Sequence, residues 1–126
     1  MGAESESQVA NNIAFQAMGK AYKASANTVS QSFQVTADSP CNQVMVVNHS
    51  NPQSGQPVYF TFGNSSVTVA APTGSGANAS YAMVSIPNSV ITITVPKQFT
   101  PTDGLYVAYI TETLTGECYF IPGEGL

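Results

Sequence analysis

The sequence predicts an all-β fold: a single-domain antiparallel β-sandwich or jelly roll of about eight short strands, with an extended N-terminal arm. Three observations predict it. Short runs rich in Val, Ile, Thr, Phe and Tyr alternate apolar with polar residues. Clusters of Gly, Pro, Ser and Asn break these runs at intervals of about 8–12 residues. Helical periodicity is almost absent, and no internal repeat stands out.

Residues 1–10 are polar and read as a flexible end. From Asn11 to Lys23 two patterns compete: Val9, Ile13, Ala17 and Met18 have helical spacing, whereas Ile13, Phe15 and Ala17 alternate as in a strand. Gly19 interrupts either, and the reading adopted is extended structure, giving an arm over 1–24 and a β-domain over 25–126. Thr28 to Ala37 forms the next strand, with Val29, Phe33, Val35 and Ala37 on one face, and Asp38-Ser39-Pro40 turns the chain. Gln43 to His49 is nearly continuous in apolar residues, as in a central strand buried on both faces or a sheet interior covered by a partner. A loop follows to Pro57. Val58, Phe60 and Phe62 alternate in one strand, and Val67 and Val69 mark another short one. Ala71 to Ser80 is a Gly-rich loop with no lysine and no GxGxxG, so it is not a phosphate cradle. Tyr81 to Ile86 is extended. Ile91, Ile93 and Val95 form a half-buried strand that Pro96 stops. Leu105, Val107 and Tyr109 define a further strand, and Thr113 to Gly116 makes a hairpin turn into Glu117–Ile121. Pro122 to Leu126 is expected not to continue that strand.

Composition narrows the function. Three Lys+Arg, seven Asp+Glu and one His in 126 residues make the chain 8% charged, with net charge −4; soluble domains average about a quarter. The basic residues are Lys20, Lys23 and Lys97, too few to hold a phosphate backbone, so no nucleic-acid partner is expected. An anionic membrane surface is equally disfavoured, and no run approaches the roughly 20 apolar residues of a membrane helix. Met1 to Gln8 has no basic or apolar region, so no signal peptide is expected and synthesis is expected in a cytoplasm. The sequons at Asn48, Asn64 and Asn78 then carry no sugar. A surface of hydroxyls and amides resists association poorly and suits a protein with neighbours.

Few residues could carry chemistry. His49 stands alone at a strand end without a GxSxG or similar motif. Glu112 and Glu117 flank the last hairpin turn and are the one carboxylate pair a glycosidase could use, although such residues usually guard a sheet edge. Cys41 and Cys118 are read as free buried thiols, with a disulfide as the alternative. Two cysteines and a distant histidine are no metal cluster. No catalytic residue and no cofactor is expected, and the chain is not read as an enzyme. Tyr59, Tyr81, Tyr106, Tyr109 and Tyr119 divide between core and surface, and an outward tyrosine near amide or acidic groups could stack on a sugar.

Four strings then look alike to a known group: Asn12-Ile13-Ala14-Phe15-Gln16, Ala37-Asp38-Ser39-Pro40-Cys41-Asn42-Gln43, Phe99-Thr100-Pro101 with Tyr106-Val107-Ala108-Tyr109-Ile110, and Cys118-Tyr119-Phe120-Ile121-Pro122-Gly123-Glu124-Gly125. Together, from about residue 11 onwards, they resemble the small β-rich virion structural proteins of short-tailed bacteriophages. The resemblance implies capsid decoration or cement proteins with sandwich or jelly-roll folds, placed on the capsid exterior. Their partners would be the major capsid protein and further copies of the chain, as a homo-oligomer. The contacts expected on that reading lie in the arm, at Asn12, Ile13, Phe15, Met18 and Tyr22, and in the Gly-rich loop, at Gly74, Gly76 and Asn78. A tail or fibre component that binds a host glycan, and a tail or connector protein, are the alternatives.

Overall fold

The computed structural model describes residues 15–49, 55–72, 74–77 and 81–125. Nine strands run through them: β1 (Gln16–Ala17), β2 (Tyr22–Ala26), β3 (Gln31–Val35), β4 (Cys41–Asn48), β5 (Val58–Gly63), β6 (Met83–Ser85), β7 (Ser89–Phe99), β8 (Leu105–Thr111) and β9 (Gly116–Glu124). The first sheet has the order β1–β9–β4–β7, with β2 also on β9, and the second β3–β8–β5–β6. Every pairing is antiparallel: β2 with β9, β3 with β8, β4 with β7 and β9, β5 with β6 and β8. The chain is thus one long ribbon, its first half laid against its second and then wound into two sheets. That is jelly-roll strand order within an all-β sandwich.

Alternation decides which side of each strand enters the core. β4 buries Val44, Val46 and Asn48, β5 buries Val58 and Phe60, and β9 buries Cys118, Phe120 and Pro122. Phe120 of the first sheet sits among aromatics of the second, 5.4 Å from Phe60, 6.2 Å from Phe33 and 6.3 Å from Phe62 between ring centres. Edge-on contacts of this kind add about 0.5–1.5 kcal/mol each to simple burial. Asn48 ties the sheets at one end, its Nδ2 donating to the Ser85 carbonyl at 2.7 Å and the Gln56 carbonyl at 3.3 Å.

Several expectations are corrected. The arm over 1–24 does not hold from Gln16 on, and its boundary falls inside β2. Tyr22, Ala24 and Ala26 face inward opposite Phe120, Cys118 and Gly116, so this segment is the edge of the first sheet. Val29 does not share the face of Phe33 and Val35. It lies in a turn closed by its N–H on Asn27 Oδ1 and is 64% exposed. Val67 and Val69 form no strand; they bury side chains without a ladder. Pro96 does not stop β7, because an edge strand can carry a residue that donates no hydrogen bond. Nor does Pro122 end β9. It lies where the neighbouring edge breaks, Ala17 facing Gly123 and Tyr22 facing Phe120, so that four residues on one side span two on the other. Gly123 makes that approach possible, since a Cβ there would strike the Gln16 carbonyl and the Phe15 ring.

Candidate functional site

The outer sides of the two sheets differ. After β5 the chain reverses at Asn64, whose Oδ1 accepts hydrogen bonds from Ser66 N at 3.0 Å and Ser66 Oγ at 2.7 Å. It then runs back across the outside of the second sheet. Val67, Val69 and Ala71 land on Tyr59, Ala108 and Ile110, and the Val69 N–H donates to Ser30 Oγ at 3.2 Å. This strap buries the outward side of β8, which explains why five consecutive residues from Val107 to Thr111 are buried.

Among the described residues the first sheet has no such cover. On its outer side Val47 lies between Tyr119 and Val90, and Met45 between Ile121 and Thr92. Met45, Val47, Tyr119 and Ile121 are half-buried within the sheet and Val90 is 59% exposed. No buried cluster forms over them among the described residues. Polar groups border this row. Lys23 Nζ and Glu117 Oε2 meet at 2.8 Å, and Gln43 Nε2 donates to Thr94 Oγ1 at 3.2 Å. The ion pair holds the Glu117 carboxyl below its usual range and the Lys23 ammonium above its own. The row is thus an apolar centre with a charge-neutral polar border.

The residues expected to touch a partner are placed elsewhere. Asn12, Ile13 and Asn78 lie outside the described residues. Phe15 is half-buried over Gly123. Met18 packs on the core, its N–H donating to the Pro122 carbonyl at 2.9 Å and its carbonyl accepting from Asp38 N at 2.6 Å. Tyr22 stacks on Phe33 at 5.6 Å and accepts from Thr36 N at 3.2 Å. These three work inside the fold. Gly74 and Gly76 are exposed, with φ of 68° and 110° that favour glycine and open space where a side chain would stand.

Among the described residues the titratable groups lie apart, save for ion pairs. Glu117 is committed to Lys23, and Glu112 is exposed in the turn. His49 is exposed and stands 6.4 Å from the Tyr119 ring, with its backbone N–H on the Glu117 carbonyl. Among the described residues no three His, Cys, Asp or Glu side chains converge as a metal site would need. Cys41 and Cys118 are free and buried. The register forbids a disulfide: Cys118 faces Asn48, seven residues along β4 from Cys41, or roughly 20 Å where a bridge needs less than about 7 Å between Cα atoms. Burial pushes the Cys118 thiol up to about 11, so it is no nucleophile. The side chain of Asn48 is buried, which removes that sequon from the surface.

A polar cleft of about 360 Å³ opens at the end of the sandwich away from Asn48, lined by Gln34, Asn64, Lys97, Asp103, Leu105 and Tyr106. Lys97 Nζ and Asp103 Oδ1 pair across it at 2.9 Å. Here an outward tyrosine meets amides and a carboxylate.

The sequence left this face open between burial on both sides and cover by a partner, because Met45 and Val47 alternate with Val44 and Val46, all four apolar. One signal could have pointed to this side of the molecule: from Ser39 to Pro96 the chain contains no Asp, Glu, Lys or Arg. Comparison with protein-family models, with curated proteins and with solved structures finds no match to this chain.

Proposed function

We propose that the chain is a non-enzymatic structural protein of a bacteriophage virion that decorates and cements the capsid from outside. It would dock the outer side of its first sheet on the major capsid protein. The observation that carries this reading is the row Met45, Val47, Tyr119, Ile121 and Val90, uncovered among the described residues, set against a second sheet whose outer side the chain covers itself. A neutral, apolar-centred face fits a protein wall and offers nothing to phosphate or lipid headgroups. The phage context comes from the sequence resemblance, and the jelly-roll order, which viral capsid and lectin domains share, supports it only by analogy. A protein that binds the assembled shell and not its parts stabilises the shell by mass action, and repetition over many sites makes weak single contacts sufficient.

The test is copy number per purified virion, by quantitative mass spectrometry against the major capsid protein. Hundreds of copies support decoration; a dozen place the chain in the tail or connector; none overturns the reading. In the same particles Val47→Lys should lose its place on the shell while the isolated variant keeps its melting temperature.

The cleft at Tyr106 favours a second reading, a glycan-binding component of a tail or fibre. An aromatic face beside planar amides is how a sugar ring is held. A glycan array without hits for the full chain, or hits that survive Tyr106→Ala, would remove it.

A further inference from the structure

The charge-free stretch from Ser39 to Pro96 builds β4, β5, β6 and the first eight residues of β7. Two of these, β6 and β7, each form one edge of their sheet, opposite β1 and β2 in the first and β3 in the second, and the short turn at 86–88 joins them on one flank of the sandwich. Among the described residues, every exposed large apolar side chain except Val29 and Leu114 falls between Tyr81 and Val90: Tyr81 at 94%, Met83, Val84, Ile86 at 57%, and Val90. Natural sheets guard free edges with lysine, inward charges, proline or very short strands. β6 has only the last of these, being three residues long. β7 has eleven residues, and its guards, Pro96 and Lys97, come only near its end. Before them Ser89-Val90-Ile91-Thr92-Ile93-Thr94-Val95 is uncharged, mostly β-branched and free of Gly and Pro. Among the described residues β7 pairs with β4 alone, so its other edge holds out unpaired backbone amides and carbonyls.

We propose that a second copy of this chain docks along β7, the two β7 strands pairing antiparallel about a two-fold axis so that their first sheets become one continuous sheet. The edge is self-complementary. A register centred on Thr92 sets Thr92 opposite its own copy and Val90 opposite Thr94 on the outer side, and Ile91 opposite Ile93 on the inner side. β-branched pairs of this kind stabilise neighbouring strands, and an uncharged edge meets no like charge when it pairs with itself. A charged partner would find nothing to pair with there. The exposed side chain of Met83, on the same side of its sheet as Phe60, then closes against the partner copy beneath the joined sheet. The pairing stands independently of the shell-binding reading. If that reading holds, the dimer also sets two outer faces side by side.

Sedimentation equilibrium of the purified full chain, free of any capsid, tests it. The wild type is expected to be a dimer at micromolar concentration. Thr92→Lys places two ammonium groups opposite each other and should raise the dissociation constant at least about tenfold, with the melting temperature of the monomer retained. Val90→Lys, at a more exposed position, should act the same way and serves if Thr92→Lys folds poorly. A wild type that stays monomeric at these concentrations overturns the proposal. So does a dimer that both β7 variants leave intact, or one that Met83→Lys breaks while the β7 variants do not.

Discussion

The two sheets share one aromatic core and differ in what stands behind them. Behind the second sheet the strap from Asn64 to Pro72 lays Val67, Val69 and Ala71 over Ala108 and Ile110, so an outward-facing strand becomes interior. Behind the first, Met45, Val47, Tyr119 and Ile121 form a comparable apolar row with no cluster over it among the described residues. The chain spends its own segment to finish one face, and none of its described segments finishes the other. The difference teaches that apolar alternation on both sides of a strand has two solutions, internal cover or external partner, and that only the path of the connecting loop distinguishes them.

The largest effect should come from what the faces share. Phe120→Ala empties the space between Phe33, Phe60 and Phe62 and should cost about 3–5 kcal/mol in urea unfolding; a loss below about 1 kcal/mol would mean that the sheets do not depend on that contact. Next comes a contrast one residue apart on β9, where Cys118 points inward and Tyr119 outward. Burial holds the Cys118 thiol near 11 against an ordinary 9.0. A folded-state pKa above the unfolded one means that the contribution is complete below pH 9 and is lost as pH rises through 11, about 2 kcal/mol in all by then. Cys41 and Tyr109 are pushed up by burial as well and add to the same alkaline loss. Unfolding midpoints followed into alkali should fall more steeply for the wild type than for Cys118→Ala, and equal slopes would show the thiol to be solvated.

The sharpest test uses one substitution on both faces. Val69→Thr buries a hydroxyl under the strap and should cost about 1–2 kcal/mol. Val47→Thr, on the open face, should change stability by about 0.5 kcal/mol or less. Equal costs would erase the distinction between a covered and an uncovered face. Val47→Thr should nonetheless weaken whatever binding the isolated protein shows toward a shell surface.

Strands with one clean apolar side were legible in the sequence. Val58, Phe60 and Phe62, and Leu105, Val107 and Tyr109, land where alternation places them, on inner faces. Their partners were not legible, because β2 pairs with β9 and β3 with β8 across most of the chain length, and periodicity carries no information about distance. Local rules also yielded to context. Pro122 reads as a strand end, yet the break between β1 and β2 removes the demand for its missing N–H. Val67 and Val69 read as a strand because burial on one side looks the same with or without a ladder. The expected contact residues Met18 and Tyr22 stand ahead of the first clear strand in the sequence, yet Tyr22 pairs with Phe120 of β9 and Met18 donates its N–H to the Pro122 carbonyl. At the open face the difficulty was chemical identity, since nothing in Met45 and Val47 distinguishes outward from inward.

The ribbon topology has a consequence for how the protein is made. A ribosome delivers β2, β3 and β4 before any strand they pair with exists. β4 waits for β7 and β9, β3 for β8, and β2 for β9. The first pair that can close is β5 with β6, across the loop that includes the strap. Nascent chains therefore carry three unmatched strands until β7 emerges, and β2 stays unmatched until the final strand. Folding comes as a late, concerted closure rather than as stepwise growth from the N-terminus, and in that interval a neighbouring nascent chain offers the same strands as competitors.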